Sequence, residues 1–153
     1  MTGKPEPAMF EAGLQKLGGL RAGEVAMIGD RLDTDIAGAR AAGLDALLVL
    51  SGVSDAVAAL AAPPEQRPTY LGADLRVLRG ALDATRIEPR RGWHVEIDQN
   101  AGGLRLRSDG ASKDPLDAMR TLCAVWWDEH SGSVQVQACD DTAATALEAV
   151  GLA

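Results

Sequence analysis

The chain has 153 residues and a formal net charge of −7, a length that suits one ordinary domain or two small ones. The negative charge argues against a nucleic acid or an anionic membrane surface as the main partner. No apolar run is long enough to cross a bilayer and the first residues lack a signal-peptide core, so we expect a cytoplasmic protein. The two cysteines, Cys123 and Cys139, are expected to be buried free thiols.

Helical and strand patterns alternate through the first half of the chain. The predicted elements are, in order, helix 5–17, strand 24–28, helix 37–42, strand 45–50, helix 56–62, strand 69–71 and helix 74–82. This alternation is typical of a parallel sheet with helices packed on it. We therefore predict an α/β fold for this part of the chain.

The composition changes at residues 85–92, a polar stretch that predicts a linker between a first domain, residues 1–86, and a second domain, residues 87–153. Beyond the linker, the pattern predicts strands over 93–97 and 104–106, a helix that begins at Asp114-Pro115, a strand over 134–138 and a helix over 142–150. This ββαβα order indicates a small α+β module.

The residues from Gly29 to Asp35 carry the strongest functional signal, because three carboxylates (Asp30, Asp33 and Asp35) follow an apolar strand and a glycine. Open α/β sheets bind ligands at the carboxyl ends of their strands, and carboxylate oxygens suit a hard cation such as Mg²⁺. Asp33 or Thr34 is the expected cap of the helix that follows.

Lys4 lies between Gly3 and Pro5, just before the first predicted helix. A lysine fixed in a turn can neutralise a phosphate and a nearby carboxylate together, although a single lysine is more often simply exposed. One helix and one strand separate it from the acidic loop. We therefore expect both loops at the same edge of the sheet.

Four segments, taken in order, resemble the haloacid dehalogenase (HAD) superfamily of phosphohydrolases: residues 3–7, 27–36, 42–44 and 48–53. They are similar to subfamily IIA, the branch that holds nitrophenyl-phosphate, phosphoglycolate, pyridoxal-phosphate and glycerol-3-phosphate phosphatases. The resemblance implies the C-terminal part of a Rossmann-like parallel sheet. It also implies Mg²⁺ as the cofactor and a small phosphorylated metabolite as the substrate.

The same resemblance implies roles for individual side chains. Lys4 would steady the nucleophile and the transferring phosphoryl group, Asp30 would bind Mg²⁺, and Asp35 would orient the water molecules of the metal and the lysine. Asp33 and Thr34 would either contact the ligands of the metal without touching the metal itself, or cap the helix. The nucleophile of the family, an Asp in an Asp-x-Asp motif on the first strand, has no counterpart in this sequence.

The phosphate-binding hydroxyl and the cap domain of the family also have no counterpart in this sequence. We therefore expect this chain to be the C-terminal portion of a phosphatase that depends on a missing N-terminal part of the same enzyme. We expect the chain alone to be inactive, because phosphoryl transfer needs a carboxylate held close to phosphorus.

Residues 87–153 resemble the C-terminal extension of mycobacterial-type glycerol-3-phosphate phosphatases, which is compared with the acetyltransferase (GNAT) fold; glycerol 3-phosphate is a candidate substrate on that ground. The segments 90–93 and 101–103 do not fit the glycine-rich loop that binds acetyl-CoA, so we expect no acyl-CoA chemistry. A non-catalytic binding, regulatory or dimerisation module is the alternative. A homodimer would cover the exposed edge of an incomplete sheet.

Overall fold

The structure is a computed structural model that describes residues 7–98 and 102–153. The chain divides into two compact units: the first extends to Ser54 and resumes over Ala62–Thr85, and the second comprises Asp55–Ala61 and Arg86–Ala153. The main division falls beside the predicted linker. The segment Asp55–Ala61 joins the second unit, which the sequence did not indicate.

The first unit is built on a three-stranded parallel sheet in the order β1-β2-β3. The strands are β1 (Ala26–Gly29), β2 (Asp45–Val49) and β3 (Tyr70–Gly72), and the helices are α1 (Pro7–Lys16) and α2 (Ala37–Ala41). The prediction of a parallel α/β sheet is confirmed. Parallel strands end in the same direction, so the loops after β1, β2 and β3 share one edge of the sheet.

The apolar runs of β2 and β3 supply the core of this unit. Leu47, Leu48 and Leu71 are fully buried, and Ile36 from the turn before α2 is fully buried as well. The residues of β1, one of the two edge strands of this sheet, are only half-buried, whereas those of β3, the other edge strand, are buried.

Two predictions for the first unit are wrong. The helix expected over residues 74–82 is replaced by two short 3₁₀ turns, Leu75–Arg79 and Leu82–Thr85, since the Asp74 side chain accepts the Arg76 N–H and sets a tight turn. Neither Asp33 nor Thr34 caps a helix, because a wide π-type turn that leads into α2 already begins at Leu32. Both residues lie inside that turn.

The second unit has the predicted ββαβα order, preceded by a short helix. Its elements are α3 (Ala56–Leu60), β4 (Trp93–Asp98), β5 (Gly103–Ser108), α4 (Pro115–Glu129), β6 (Val136–Ala138) and α5 (Asp141–Val150). The sheet order is β4-β5-β6, with β4 antiparallel and β6 parallel to β5. The indole N–H of Trp127 in α4 donates to the Leu60 carbonyl at 3.0 Å, which ties α3 to this unit.

Leucines of β5 and residues of α4 and α5 form the second core, whose fully or nearly fully buried members include Leu104, Leu106, Met119, Leu122, Cys123, Ala143 and Leu147. Both cysteines are free thiols. Cys123 is buried as expected, but Cys139 is exposed, because it follows β6 on the face of the sheet that carries polar side chains. No helix in the described parts of the chain is both long and apolar enough to cross a membrane.

Candidate active site

The loops after β1 and β2 are joined at the carboxyl edge of the first sheet. The Asp30 carbonyl accepts the Ser54 N–H at 2.9 Å, and the Ser54 hydroxyl accepts the Leu32 N–H at 3.1 Å. The Asp30 carboxylate accepts the Val53 N–H at 3.1 Å through Oδ2. Backbone and side chain of Asp30 are therefore both held by the loop that follows β2.

This arrangement leaves part of the Asp30 carboxylate available to a ligand. The residue is half-buried, and its Oδ1 accepts no hydrogen bond from residues 7–98 or 102–153. One oxygen is thus oriented by a backbone amide while the other can coordinate a cation. A carboxylate held in this way is a suitable ligand for a hard divalent ion.

Asp35 is the buried carboxylate of the site, with only 5% of its surface exposed. Its Oδ2 accepts the backbone N–H groups of Asp30 and Arg31, each at 3.3 Å. The negative charge lies over amides at the start of a helical segment, where it is electrostatically favourable. Asp35 thereby fixes the backbone that carries Asp30.

Asp33 has a different environment and forms an exposed ion pair with Arg31, at 2.9 Å between the Arg31 Nη2 and the Asp33 Oδ2. The hydrogen bond from Arg31 holds the pKa of Asp33 below its usual value and raises the pKa of the guanidinium. Thr34 is half-buried beside it in the same turn. The three carboxylates of the loop therefore do not converge on one point.

Across the described ranges, no three His, Cys, Asp or Glu side chains are grouped as a complete metal site. A cation at this edge would have to combine Asp30 with oxygens other than those of Asp33. Lys4, the predicted phosphoryl-binding residue, lies outside the described residues. Its placement beside Asp30 and Asp35 stays a prediction.

Two glycines make the site possible, and the sequence reasoning gave neither of them this role. A Cβ on Gly29 would overlap the Asp35 side chain, and a Cβ on Gly52 would overlap the Asp30 carboxylate. The absence of side chains here lets the two carboxylates approach the backbone. The sequence feature that could have indicated this role is a glycine at or just after the end of each of two neighbouring strands.

Comparisons with known proteins match two separate parts of the chain. Residues 1–78 match the family model described as HAD-hydrolase-like, and residues 90–152 match the model of a GCN5-related N-acetyltransferase like domain. The chain is 37% identical over 159 residues to D-glycerol 3-phosphate phosphatase of Mycobacterium tuberculosis, covering 97% of this chain and 44% of the relative. A shorter match over 53 residues, 45% identical, links 35% of this chain to 19% of dihydroxyacetone phosphatase of Corynebacterium glutamicum.

Solved structures give the same relationship at the level of the fold. The crystal structure of glycerol phosphate phosphatase from Mycobacterium tuberculosis in complex with magnesium has a TM-score of 0.87 and 36% sequence identity, covering 99% of this chain and 44% of that chain. The calcium complex of the same phosphatase gives a TM-score of 0.86 at 35% identity, over 98% and 43% of the two chains. The chain thus spans less than half the length of these relatives.

Proposed function

The chain belongs to the HAD-hydrolase-like family, and we propose that it carries the magnesium-binding part of the active site of a phosphate-monoester hydrolase. The observation on which this rests is the Asp30 carboxylate, fixed by the Val53 amide where the loops after β1 and β2 join. The proposed substrate is a small phosphorylated metabolite. Glycerol 3-phosphate is the first candidate, since a relative that matches 97% of the chain is named for it.

The residues of the site fit Mg²⁺. This ion usually keeps several water molecules and takes one or two protein carboxylates together with phosphate oxygens, so a site without three grouped acidic side chains is adequate. Asp30 would hold the ion through Oδ1, while Asp35 holds the loop in place through the amides of residues 30 and 31. When bound, Mg²⁺ would neutralise charge on the phosphate oxygens.

The remaining catalytic groups are assigned from the family pattern. Lys4 would place its positive charge on the transferring phosphoryl group. The nucleophilic carboxylate would come from a part of the enzyme that this sequence does not include, since the chain spans 44% of the Mycobacterium tuberculosis relative. Within the described ranges β1 is paired only with β2 and its residues are half-buried, so its other side offers a place for a further parallel strand beside Asp30.

Acetyl transfer by the second unit is not part of this proposal, despite its match to an acetyltransferase-like model. A pyrophosphate would need free amides at a helix N-terminus. The Asp114 carboxylate already accepts the Leu116 N–H at the start of α4, and the Asp140 carboxylate accepts the Ala143 N–H at the start of α5. Each carboxylate would repel a second anion at the same place.

A chimeric enzyme tests the proposal. It would join the preceding part of the Mycobacterium tuberculosis relative to this chain, and phosphate release from glycerol 3-phosphate would be measured with and without Mg²⁺. We expect Mg²⁺-dependent release that falls by at least about 100-fold in Asp30→Asn. Asp33→Asn is the matched control and should stay within about twofold, because its exposed ion pair with Arg31 contributes little.

The isolated chain supplies the second arm of this experiment. With excess Mg²⁺ we expect no phosphate release from it, because it provides no nucleophile. Turnover by the chain alone that disappears in Asp30→Asn would contradict this assignment of roles. A chimera whose circular dichroism spectrum shows a folded protein, and whose activity is equally sensitive to Asp30→Asn and Asp33→Asn, would refute the selection of Asp30 as the metal ligand.

A further inference from the structure

The second sheet has a polar face. Helices α4 and α5 pack on the other face, where Leu104 and Leu106 of β5 are buried. Because side chains alternate along a strand, Arg105 and Arg107 of β5 lie on the opposite face, and both are exposed. Strands β4 and β6, with the residue that follows β6, add further exposed residues to this face: His94, Glu96, Gln137 and Cys139.

Strand pairing brings several of these side chains together around Arg107. His94 lies directly opposite Arg107 on β4. On the other side, the Cys139 N–H donates to the Leu106 carbonyl at 2.8 Å, which continues the parallel register of β5 and β6 and sets Cys139 beside Arg107. The depression at this place has a volume of about 120 Å³ and is lined by His94, Glu96, Arg105, Arg107 and Cys139.

The two arginines of this depression have no carboxylate partner. Neither Arg105 nor Arg107 forms a hydrogen bond or an ion pair with any residue of 7–98 or 102–153. Arg31 and Arg76, by contrast, are each paired with an aspartate. Two guanidinium charges are thus left unpaired side by side, in a chain whose net charge is −7.

The carboxylates that follow this part of the sheet in the chain are already bound elsewhere. Asp109 accepts a backbone N–H through one oxygen and is bonded to the His94 ring through the other, at 3.1 Å. Asp140 accepts a backbone N–H with each of its oxygens, both at 2.8 Å. The fold therefore occupies these two acids and leaves the guanidinium of Arg107 available to an external anion.

We propose that Arg105 and Arg107 bind a phosphate group, either of a small phosphate ester or of free phosphate, on the polar face of the second sheet. Alternate residues of a strand are about 6.6 Å apart, so both side chains can reach one group between them. A guanidinium matches the oxygen geometry of a phosphate and donates two parallel hydrogen bonds to it. Two guanidinium charges also balance a phosphate group, which carries about −1.5 to −2 at neutral pH.

The depression limits the size of the ligand. Pockets that enclose whole drug-sized molecules measure about 300–1,000 Å³, so a volume of about 120 Å³ suits one phosphate group and not a nucleotide. Glu96 lies opposite Arg105 and would repel a second negative group there. We therefore expect a monophosphate whose remaining atoms extend into solvent.

Titration of the isolated chain with inorganic phosphate, followed by NMR of the β5 amides and the arginine Nε–H groups, tests the proposal. Mg²⁺ is left out and chloride keeps the ionic strength constant, so that neither metal binding at Asp30 nor screening contributes. No turnover is measured, so the result is independent of the proposed phosphatase activity. We expect saturable shifts at Arg105 and Arg107 with a dissociation constant of about 1 mM.

Other anions define the ligand. Acetate carries one charge and should bind at least about tenfold more weakly than phosphate. Glycerol 3-phosphate distinguishes the two sources of the phosphate group: tighter binding than that of inorganic phosphate identifies an ester as the ligand, and equal or weaker binding identifies the free ion.

Charge variants locate the site. Arg105→Gln and Arg107→Gln should each weaken phosphate binding by about tenfold or more, because each removes a charge-assisted pair. Glu96→Gln should tighten it by about threefold, because an acidic neighbour is removed. Arg91→Gln is the matched control: it removes the same charge from an exposed arginine of the second unit that does not line the depression, and should stay within about twofold.

The Cys139 thiol provides a second measurement. It is exposed in the same depression whereas Cys123 is buried, so a thiol reagent applied to the native chain reacts at Cys139. Saturating phosphate should slow its reaction with dithiobis(nitrobenzoate), a dianion, and should do so less in Arg107→Gln. Shifts that stay linear up to about 50 mM phosphate, binding unchanged in both Arg105→Gln and Arg107→Gln, or a thiol reaction that phosphate does not slow would overturn the proposal.

Discussion

Replacing Gly52 by alanine tests whether the loop after β2 holds the Asp30 carboxylate. The added Cβ would overlap this carboxylate, which accepts the Val53 N–H at 3.1 Å. Either the carboxylate rotates away or the loop moves, and the hydrogen bond is lost in both cases. A hydrogen bond to a charged group contributes about 1.5–3 kcal/mol, and since Asp30 is only half-buried and solvent screens part of the interaction, we expect a smaller loss of about 1–2 kcal/mol.

The two units can be followed separately in this experiment. All three tryptophans, Trp93, Trp126 and Trp127, lie in the second unit, so fluorescence in urea reports on that unit. Amide hydrogen exchange of Leu47 and Leu48 in β2 reports on the first. We expect Gly52→Ala to accelerate exchange in β2 by about 5- to 30-fold and to leave the fluorescence transition unchanged.

In the chimeric enzyme the same substitution should displace Asp30, the proposed metal ligand, and a misplacement of about 1 Å can cost roughly 100-fold in rate. Gly13→Ala is the control, because no atom lies within 4 Å of a Cβ added at this position in α1. It should stabilise the helix by about 0.5–1 kcal/mol. Native exchange rates and full activity in Gly52→Ala, with Gly13→Ala behaving as expected, would show that the loop does not hold Asp30.

Three further substitutions test other parts of the structure. Asp140→Ala should lower the free energy of unfolding of the second unit by about 1 kcal/mol in a urea titration followed by tryptophan fluorescence, because the carboxylate caps α5. Backbone N–H groups also hold the pKa of Asp140 below 3.8, so this stabilisation is present above that pH and is lost as the pH falls through the lowered pKa. Arg76→Gln should raise the NMR titration midpoint of Asp74 from about 2 toward 3.8, because hydrogen bonds from Arg76 lower that pKa. Ser54→Ala should speed amide exchange of Leu32, whose N–H loses its acceptor at 3.1 Å, and an unchanged rate would show that this contact does not form in solution.

The elements predicted from the sequence were correct where the local pattern of apolar residues matches the burial of the strand in the fold. The apolar run before Ser51 became the buried strand β2, and the alternating residues after Gly92 became the half-buried strand β4. Residues 74–82 have an apolar pattern too, yet they form only short turns. A local side-chain hydrogen bond from the backbone N–H of Arg76 to Asp74 competes with helical bonding there, and apolar spacing does not report such competition.

The candidate site was only partly predictable for a related reason. Gly29 and Asp30 lie at the end of a recognisable strand, so spacing along the chain could place a carboxylate at the sheet edge. The contacts that fix this carboxylate come from Val53 and Ser54, more than 20 residues later. A pairing across two loops depends on the register between β1 and β2, which neither apolar pattern specifies alone.

The three aspartates of the acidic loop differ in their roles because they form different hydrogen bonds. Asp35 is buried and accepts two backbone N–H groups, which ties it to the turn that carries Asp30. Asp33 is neutralised by Arg31 at the surface. Asp30 alone combines a fixed position with an oxygen that no described residue occupies. Substituting Asp35 should therefore act indirectly, by releasing the backbone of Asp30, and Asp35→Asn should preserve more metal affinity than Asp30→Asn because an amide oxygen can still accept the same N–H groups.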